Sequence, residues 1–374
     1  MSDGSNAGAT EPSQGQSFKH IALLNLAILA GALVLIEGLA STALFVRDMI
    51  KAAPLAEGRH TRYDATLGWV NIPGVAIPDM YAPGLSVRIN RQGFRNDRDF
   101  ATAVPEGKKR VICAGDSFTF GYGVDNSQPW CELLAKQDPR FETVNMGQGG
   151  YGVDQAYLWY KRDGVKLAHD VVLLAFITLD FQRMQQKEFL GYPKPLYAIE
   201  NGKLKLTNVP VPEPGSLLRW LNQRREAVRE LRSFQVLQKV MARTGKPQPS
   251  SKDEAAERVA EEIFAEFAQT AREHHSTPIL VYLPFSRTAE DDDLRWQSAV
   301  RDIAQRRGIA LIDLVGLFDS LEPTERAAMF IPEGAISYRG ATGHYTAKGN
   351  EYVAQALLER MRPSLTSSTS PEQQ

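Results

Sequence analysis

Val111-Ile-Cys-Ala-Gly-Asp-Ser-Phe-Thr-Phe-Gly121 is the stretch that most constrains the fold. Its apolar run stops abruptly at Gly115-Asp116-Ser117. This pattern predicts a buried strand that ends in a tight turn and presents the hydroxyl of Ser117. In open α/β sheets, ligands and chemistry gather at the carboxyl ends of the strands. Because Gly, Asp and Ser are also common turn residues, the triplet alone does not assign a function.

The rest of the chain alternates apolar runs with amphipathic segments. The runs predict strands at 109–114, 142–146, 170–177, 278–283 and 309–313, with shorter candidates at 67–70 and 87–90. Helices are predicted at 128–137, 152–165, 253–274, 290–307 and 346–361. Apolar strands that alternate with amphipathic helices predict an α/β fold with a mostly parallel sheet covered on both faces.

Composition divides the chain into five segments. We expect a disordered tail at 1–18, a transmembrane anchor at 19–47, an N-terminal extension with short strands at 48–106, an α/β domain at 107–362 and a disordered tail at 363–374. Within the α/β domain, the Pro-rich stretch 181–250 interrupts the alternation. It is either a surface excursion or a lid that helps to bind substrate, since long loops in compact domains are often functional.

Residues 21–46 are almost wholly apolar, although Asn25 and Glu37 interrupt them, and the run is long enough to cross a bilayer. A cleavable signal peptide is the alternative, because small residues at 41–43 are spaced for cleavage; the length of the run favours an uncleaved anchor. The orientation of this anchor in the membrane is unresolved. The positive-inside rule would keep the large domain in the cytoplasm, whereas we expect that domain outside the cytoplasm. The basic residues behind this conflict are Lys19 before the span and Arg47, Lys51, Arg59 and Arg62 after it.

Composition and spacing exclude several classes of function. A net charge of -1 argues against a nucleic-acid partner, and the basic segment 219–232 alternates with Glu and Leu as a solvated helix face does. The adjacent His274 and His275 point to different helix faces, so no metal site is predicted. Cys113 and Cys131 leave a disulfide open, and the compartment with it. The sequence indicates no oligomeric state.

A second glycine-rich turn follows the predicted strand 142–146. Gly147, Gly149 and Gly152 satisfy the G-x-G-x-x-G fingerprint of dinucleotide-binding proteins. That interpretation requires an acidic residue about 20 positions further on, whereas Asp180 lies 28 positions after Gly152. We therefore predict no nucleotide or other cofactor. The alternative is that the same glycines present backbone N–H donors to the oxyanion formed when a serine attacks an ester.

His344 lies on a glycine-flanked loop just before the last predicted helix. From there it could reach Ser117 and act as its general base. A lone loop histidine is usually a surface residue, so this prediction depends on the serine.

Together these residues resemble the SGNH (GDSL-like) hydrolase family over about residues 60–362. Gly115-Asp116-Ser117 is similar to its first block, which implies that Ser117 is the nucleophile and an oxyanion donor. Asn145 and Gly150 are similar to the second block, with Gly150 as the second donor, and His344 with Gly349 to the last. The resemblance implies a flavodoxin-like three-layer α/β/α sandwich that hydrolyses or transfers an ester-linked acyl group without a cofactor.

The sequence departs from this family at two positions. The third block normally holds an Asn that is the third oxyanion donor, but Leu179 stands there, between Thr178 and Asp180. Thr178 or a residue from 181–250 would have to replace it. The last block normally has an acid shortly before its histidine, where this chain has Ala341 and Thr342. Either the enzyme uses a Ser–His dyad, or an acid comes from elsewhere, for which the candidates are Glu333, Asp313 and Asp319.

Upstream, residues 67–69 and 89–95 resemble family members that are membrane-anchored and associated with cell-surface polysaccharides. Our hypothesis is a serine esterase anchored in a bacterial inner membrane through residues 21–46, with its soluble domain outside the cytoplasm. Its substrate would be an ester-bearing small molecule or polysaccharide. Ser117 and His344 would be the catalytic residues, and Asp116, Asn145, Thr178 and Asp180 would support them. The alternatives are an O-acyltransferase that uses the same site and a catalytically degenerate binding protein.

Overall fold

The computed structural model describes residues 14–51, 57–215, 251–286 and 291–366. The predictions for residues 1–13, for the basic segment 219–232 and for the tail beyond residue 366 lie outside these ranges. One sheet of five strands forms the centre of the described chain. Its strands are β1 (Lys109–Gly115), β2 (Phe141–Gly147), β3 (Val171–Phe176), β4 (Thr277–Tyr282) and β5 (Ala310–Asp313).

The five strands are all parallel and lie in the order β2-β1-β3-β4-β5. This is the flavodoxin-like order of a doubly wound sheet, so the predicted fold class is confirmed. The direction of winding reverses between β1 and β3, where Ala114 pairs with Leu174. Ligands of such sheets bind at this switch point, outside the carboxyl ends of the strands.

Helices cover both faces of the sheet because successive strand residues point to opposite sides. The helices are α1 (Ser117–Phe120), α2 (Trp130–Gln137), α3 (Val153–Asp163), α4 (Thr178–Arg183), α5 (Ser251–Glu273), α6 (Asp291–Arg307), α7 (Val315–Asp319), α8 (Pro323–Ala328) and α9 (Ala347–Thr366). Ile112 and Leu174 pack toward α3, α5 and α6, whereas Val111 and Leu173 pack toward α2 and α9. The predicted helices and strands are confirmed, and α9 ends at Thr366, beyond the predicted end at 361.

The two cysteines form a disulfide. Cys113 lies in β1 and Cys131 in α2, and their Cα atoms are 6.2 Å apart. Both are fully buried, in the apolar layer between the sheet and α2. The bond that the sequence left open therefore ties the strand before Ser117 to the helix that covers it.

The N-terminal extension covers the outer edge of β2. It contributes two antiparallel pairs, Thr61–Asp64 with Gly68–Asn71 and Ala76–Ile77 with Val87–Arg88. The Arg95 amide donates to the Asn145 carbonyl (3.1 Å), and the Asn145 amide donates to the Asn96 side chain (3.0 Å). These bonds satisfy the edge of the sheet, which would otherwise be open to a further strand. The short strands predicted at 67–70 and 87–90 belong to this cover.

The described part of the predicted insertion forms two hairpins. Glu188–Phe189 pairs with Tyr192–Pro193, and Leu196–Glu200 pairs with Lys203–Thr207. Between them Lys194 is fully buried and donates to the Asp154 carboxylate of α3 (2.6 Å). A buried charge is tolerated only when it is paired, so this bond fixes the first hairpin to the core.

The N-terminal helix, Gln14–Lys51, is described by itself. Its segment His20–Arg47 is the one stretch of the described chain that is long and apolar enough to cross a membrane, with a mean hydropathy of 2.2. A signal sequence near an N-terminus meets the same criterion. The helix begins at Gln14, so residues 14–18 are helical and not part of the tail predicted at 1–18.

Candidate active site

Ser117 is the first residue of α1 and follows the carboxyl end of β1 by two positions. The Asp116 carboxylate caps this helix by accepting the Phe118 amide (2.8 Å). Gly115 is required because β1 and α1 approach closely here: a Cβ atom would lie 2.2 Å from the Thr119 hydroxyl and 2.7 Å from the Ala175 carbonyl. The turn therefore forces the serine into one position at the switch point, where it is only 4% exposed.

His344 meets Ser117, as the sequence predicts. Its Nε2 atom lies 2.7 Å from the Ser117 Oγ atom, which is hydrogen-bonding distance. The imidazole lies between two aromatic rings, with its centroid 4.5 Å from that of Phe118 and 5.2 Å from that of Tyr122. These rings set the orientation of the half-buried histidine, and neither was anticipated from the sequence.

The environment of His344 keeps its ring neutral. Burial lowers the pKa of His344 to about 4, and the positive charge of Arg183 adds to this effect. The carbonyls of Ala341 and Thr342 act in the opposite direction and only partly offset it. At neutral pH the ring is therefore unprotonated and can accept the proton of Ser117.

No described carboxylate contacts the other nitrogen of this histidine. The Nδ1 atom is buried and makes no hydrogen bond of good geometry within the described ranges, although the carbonyls of Ala341 and Thr342 act on the ring. Asp313 is bound by Arg301 (2.7 Å), Asp319 pairs with Arg326 (3.1 Å), and Glu333 is exposed. The three candidate acids are thus occupied or turned to solvent in the structure.

Two backbone amides near the serine are available to an oxyanion. After β2, the chain turns through Gly150, whose φ of +75° lies in the left-handed region that favours glycine. A Cβ atom at Gly150 would lie 2.5 Å from the ring of Phe189, so the position also needs its small size. Among the described residues, the N–H groups of Ser117 and Gly150 make no hydrogen bond. Both are therefore free to donate to a ligand.

Asn145 and Thr178 have other partners. The side-chain Nδ2 group of Asn145 donates to the Thr119 carbonyl (3.0 Å), and its side-chain oxygen accepts the backbone N–H of Gly147 (2.9 Å). Asn145 therefore fastens α1 to the end of β2. The Thr178 hydroxyl lies 2.9 Å from that of Tyr282, on the far side of β3 from β1. Leu179 is half-buried against the apolar residues that pack under α2 and α9.

The N-terminal extension holds the opposite end of α1. Arg95 is fully buried, and its guanidinium donates to the carbonyls of Phe120 (2.7 Å), Gly121 and Val124 (2.7 Å). It also lies 4.7 Å from the centroid of the Phe120 ring. A guanidinium placed at the carboxyl end of a helix stabilises its unpaired carbonyls.

Arg183 also belongs to the site, although no sequence pattern distinguished it from other arginines. Its Nη1 atom donates to Asp180 (2.5 Å) and to Asp116 (3.1 Å). Burial, together with the nearby Asp116 carboxylate, raises the pKa of Asp180 well above its ordinary value, and the charge of Arg183 offsets this only in part. Asp180 also accepts the Ile177 amide (3.1 Å), so it anchors the start of α4.

An aromatic wall stands beside Gly150 and Arg183. Its three rings are Trp69 from the extension and Phe189 and Tyr192 from the first hairpin of the insertion. The Trp69 indole donates to the Gly149 carbonyl (2.9 Å), and Phe189 lies 5.1 Å from the Arg183 guanidinium. The wall therefore connects two segments outside the five-stranded core to the site.

The described residues contain no group of three or more His, Cys, Asp or Glu side chains placed to hold a metal ion. What the arrangement offers is a hydroxyl, a neutral imidazole and two free amides.

The family model described as GDSL-like Lipase/Acylhydrolase matches residues 113–352, more than half of the chain. Among the solved structures that the chain matches is the lipase/acylhydrolase from Enterococcus faecalis, at 10% identity and a TM-score of 0.40, covering 71% of this chain and all of that one (100%). A member of the lipolytic protein G-D-S-L family from Veillonella parvula has 13% identity and a TM-score of 0.36, covering 67% of this chain and 97% of its own. No curated protein matches the sequence.

Proposed function

The chain belongs to the GDSL-like lipase/acylhydrolase family, and from this premise we propose that it is a membrane-anchored serine esterase with Ser117 as its nucleophile. The observation that carries the proposal is the 2.7 Å contact between His344 Nε2 and Ser117 Oγ at the switch point of the sheet. Nucleophile and base within hydrogen-bonding reach are the signature of covalent catalysis.

In the first half of the reaction, Ser117 Oγ attacks the ester carbonyl carbon while its proton passes to His344 Nε2. The carbonyl electron pair moves to the oxygen, and the resulting oxyanion accepts hydrogen bonds from the amides of Ser117 and Gly150. The intermediate collapses when the bond to the leaving alkoxide breaks and His344 returns the proton to that oxygen. The products are the free alcohol and an acyl group on Ser117.

In the second half, water attacks the acyl-enzyme and gives a proton to His344. Collapse of this second intermediate breaks the bond to Ser117 Oγ, which takes the proton back, and the carboxylic acid leaves. If a sugar hydroxyl takes the place of water, the same steps transfer the acyl group to the sugar. This O-acyltransferase reaction is the alternative outcome. The aromatic wall beside Gly150 favours a carbohydrate or envelope substrate, because the half-buried rings of Phe189 and Tyr192 offer a sugar an apolar surface.

We infer that Ser117 and His344 form a catalytic dyad in which His344 is the base. His344 is oriented by stacking on Phe118 and by its contact with the tilted ring of Tyr122, and its buried Nδ1 atom has no carboxylate partner among the described residues. An imidazolium formed here lacks a neutralising carboxylate, so it returns its proton readily to the leaving group. The expected cost is a weaker base than in a complete triad, because the acid of a triad stabilises the charged ring.

Two observations support anchoring with the catalytic domain outside the cytoplasm. The helix His20–Arg47 has the length and hydropathy of a span. The Cys113–Cys131 disulfide favours an oxidising compartment, since cytosolic thiols are kept reduced. The basic residues that follow the span favour the opposite orientation. Fusion of a reporter enzyme to the carboxyl terminus tests it: activity confined to the cytoplasm contradicts the proposed orientation.

Substitution of the nucleophile tests the reaction. We expect Ser117→Ala to lower hydrolysis of p-nitrophenyl acetate at least about 10³-fold, because the remaining groups cannot form the acyl-enzyme. A fluorophosphonate probe is expected to label the wild type and not this variant. Ser276→Ala is the matched control, since Ser276 is equally buried but lies at the amino end of β4. Persistent absence of labelling in folded wild type supports the degenerate binding protein instead.

A further inference from the structure

Arg183 lies where the carboxyl ends of three central strands meet. Its Nη1 atom donates to Asp116 after β1 (3.1 Å), to the Tyr151 carbonyl after β2 (3.3 Å) and to Asp180 after β3 (2.5 Å). The first of these residues precedes the nucleophile, and the second follows the glycine that donates its amide. The guanidinium is therefore fastened to the neighbours of both backbone donors of the proposed oxyanion hole.

Arg183 lies on α4, the same helix as Leu179, which stands where the family has its oxyanion-binding Asn. Arg183 comes four residues after Leu179, so the two side chains lie on the same face of the helix. Helical side chains also lean toward the amino terminus of their helix. A long side chain at 183 can thus reach back to the end of β3, where the family's Asn would present its amide.

The Arg183 guanidinium has N–H donors that make no hydrogen bond within the described ranges. Arginine has five N–H donors in a rigid fork, and within the described ranges the hydrogen bonds of the Arg183 side chain all use Nη1. Its Nη2 and Nε groups have no partner there. The side chain is 14% exposed, and Phe189 lies 5.1 Å from its central carbon. A ligand in the site can therefore meet unused, charged donors in a partly desolvated setting, where they act most strongly.

We propose that Arg183 is the third oxyanion donor of this enzyme and replaces the Asn that Leu179 displaces. The inference rests on the proposed esterase function. In each tetrahedral intermediate the carbonyl oxygen carries the negative charge, and the guanidinium binds that oxygen together with the amides of Ser117 and Gly150. No additional bond is made or broken, because Arg183 stays protonated and supplies only charge and hydrogen bonds.

A purely structural role is the competing explanation, since Arg183 also binds two buried carboxylates. Structure alone would be satisfied by any cation that holds Asp116 and Asp180. Donation to the oxyanion makes a different demand: it needs a hydrogen-bond donor at one point in space. An Asn introduced at position 179 can meet this second demand but cannot neutralise the carboxylates, so it separates the two explanations.

The experiment measures kcat and KM of the full chain in detergent with p-nitrophenyl acetate. We expect Arg183→Met to lower kcat about 10²–10³-fold with little change in KM, because an oxyanion donor acts in the transition state. Arg183→Met combined with Leu179→Asn is expected to recover at least about tenfold of this loss. Arg162→Met is the matched control. Arg162 lies at the carboxyl end of α3 and binds its neighbour Asp163 and Asp64 of the N-terminal extension, and its loss is expected to leave kcat unchanged.

Arg183→Lys is the control for a loss of activity that is caused by misfolding. Lysine retains the positive charge between the two carboxylates but lacks the forked set of donors of a guanidinium. We expect a wild-type melting temperature and a kcat lowered at least about tenfold. The inference is overturned if Arg183→Lys and Arg183→Met keep wild-type kcat, or if Leu179→Asn restores nothing in the Met background. If the inference about Arg183 fails in this way while activity still depends on Ser117, the proposed esterase function stands. If the wild type has no Ser117-dependent activity, both the esterase function and the role of Arg183 are overturned.

Discussion

Two buried arginines at opposite ends of the sheet show how differently the fold uses the same side chain. At the amino end, Arg110 binds Glu142 (2.7 Å) and the carbonyls of Thr102 (3.2 Å), Ala103 (2.9 Å) and Ala168 (2.8 Å). Each of its three nitrogens is used, and the side chain is completely buried. At the carboxyl end, Arg183 concentrates its bonds on one nitrogen and stays partly exposed.

The difference follows from the chemistry of a doubly wound sheet. At the amino end, the loops that lead into the strands bury polar groups that need hydrogen-bond partners. A guanidinium there stabilises the fold most when every one of its donors is used. The carboxyl end holds the ligand, and a donor that is already satisfied cannot serve it. A saturated arginine stabilises the fold, whereas an unsaturated one next to a nucleophile remains available for the reaction.

Removal of Arg110 should have the largest effect on folding and none on chemistry. We expect Arg110→Met to lower the free energy of unfolding by about 3–5 kcal/mol, because the buried Glu142 keeps only a long ion pair with Arg98 (4.0 Å) and three carbonyls lose their donor. Urea unfolding measures this loss, and kcat per folded molecule should stay at the wild-type value. Arg183→Met should cost less stability, because Asp180, with its raised pKa, can take up a proton. Equal losses of stability and of kcat in both variants would contradict the comparison.

The pH dependence of activity should reveal the second function of Arg183. The pKa of His344 is lowered to about 4 from an ordinary 6.5, so the neutral base persists as pH falls and the acid limb of kcat/KM should lie near pH 4. Stability follows the same sign: the contribution of the neutral ring is complete above pH 6.5 and is lost as pH falls toward 4.

Arg183→Lys should leave this acid limb in place, since the positive charge remains. Arg183→Met should move it upward, because one of the two causes of the lowered pKa is gone. An unmoved limb in the Met variant would mean that the charge of Arg183 does not reach the imidazole.

The smallest effect is expected from supplying the missing acid. Thr342 is exposed and lies two residues before His344, where the family carries its acid. We expect Thr342→Asp to raise the pKa of His344 and to increase kcat about tenfold or less, because a carboxylate at Nδ1 stabilises the imidazolium. The pH profile and kcat test it together, with Thr342→Asn as the uncharged control. A lower kcat with the acid limb unchanged would argue against an unassisted dyad.

Local sequence patterns were sufficient for the sheet. The apolar runs at 109–114, 142–146, 170–177 and 278–283 form strands that are buried on both sides, and such strands can be predicted from local sequence alone. The edge strand Ala310–Asp313 is only partly buried. Ser117 and His344 were also predictable, because each stands beside glycines at the end of an element. Their contact of 2.7 Å follows from the strand order, which brings the ends of β1 and the loop before α9 together.

Tertiary pairing determined what the sequence could not reveal. Arg183 opens the long stretch 181–250, where an arginine is indistinguishable from a solvated surface residue. Only its bonds to Asp116 and Asp180 show otherwise. The disulfide likewise depends on the 6.2 Å between the Cα atoms of residues 18 positions apart in sequence. The contacts of the imidazole with Phe118 and Tyr122 follow no periodic sequence pattern and could not be predicted.

Trapping the acyl-enzyme tests the central claim most directly. The full chain is mixed with p-nitrophenyl acetate, quenched with acid within the first turnover and digested, and the peptides are analysed by mass spectrometry. We predict an acetyl group on the peptide that contains Ser117, absent from the Ser117→Ala variant. Turnover of the ester with the acetyl group on another residue, or with no acetylated peptide at all, would contradict the account.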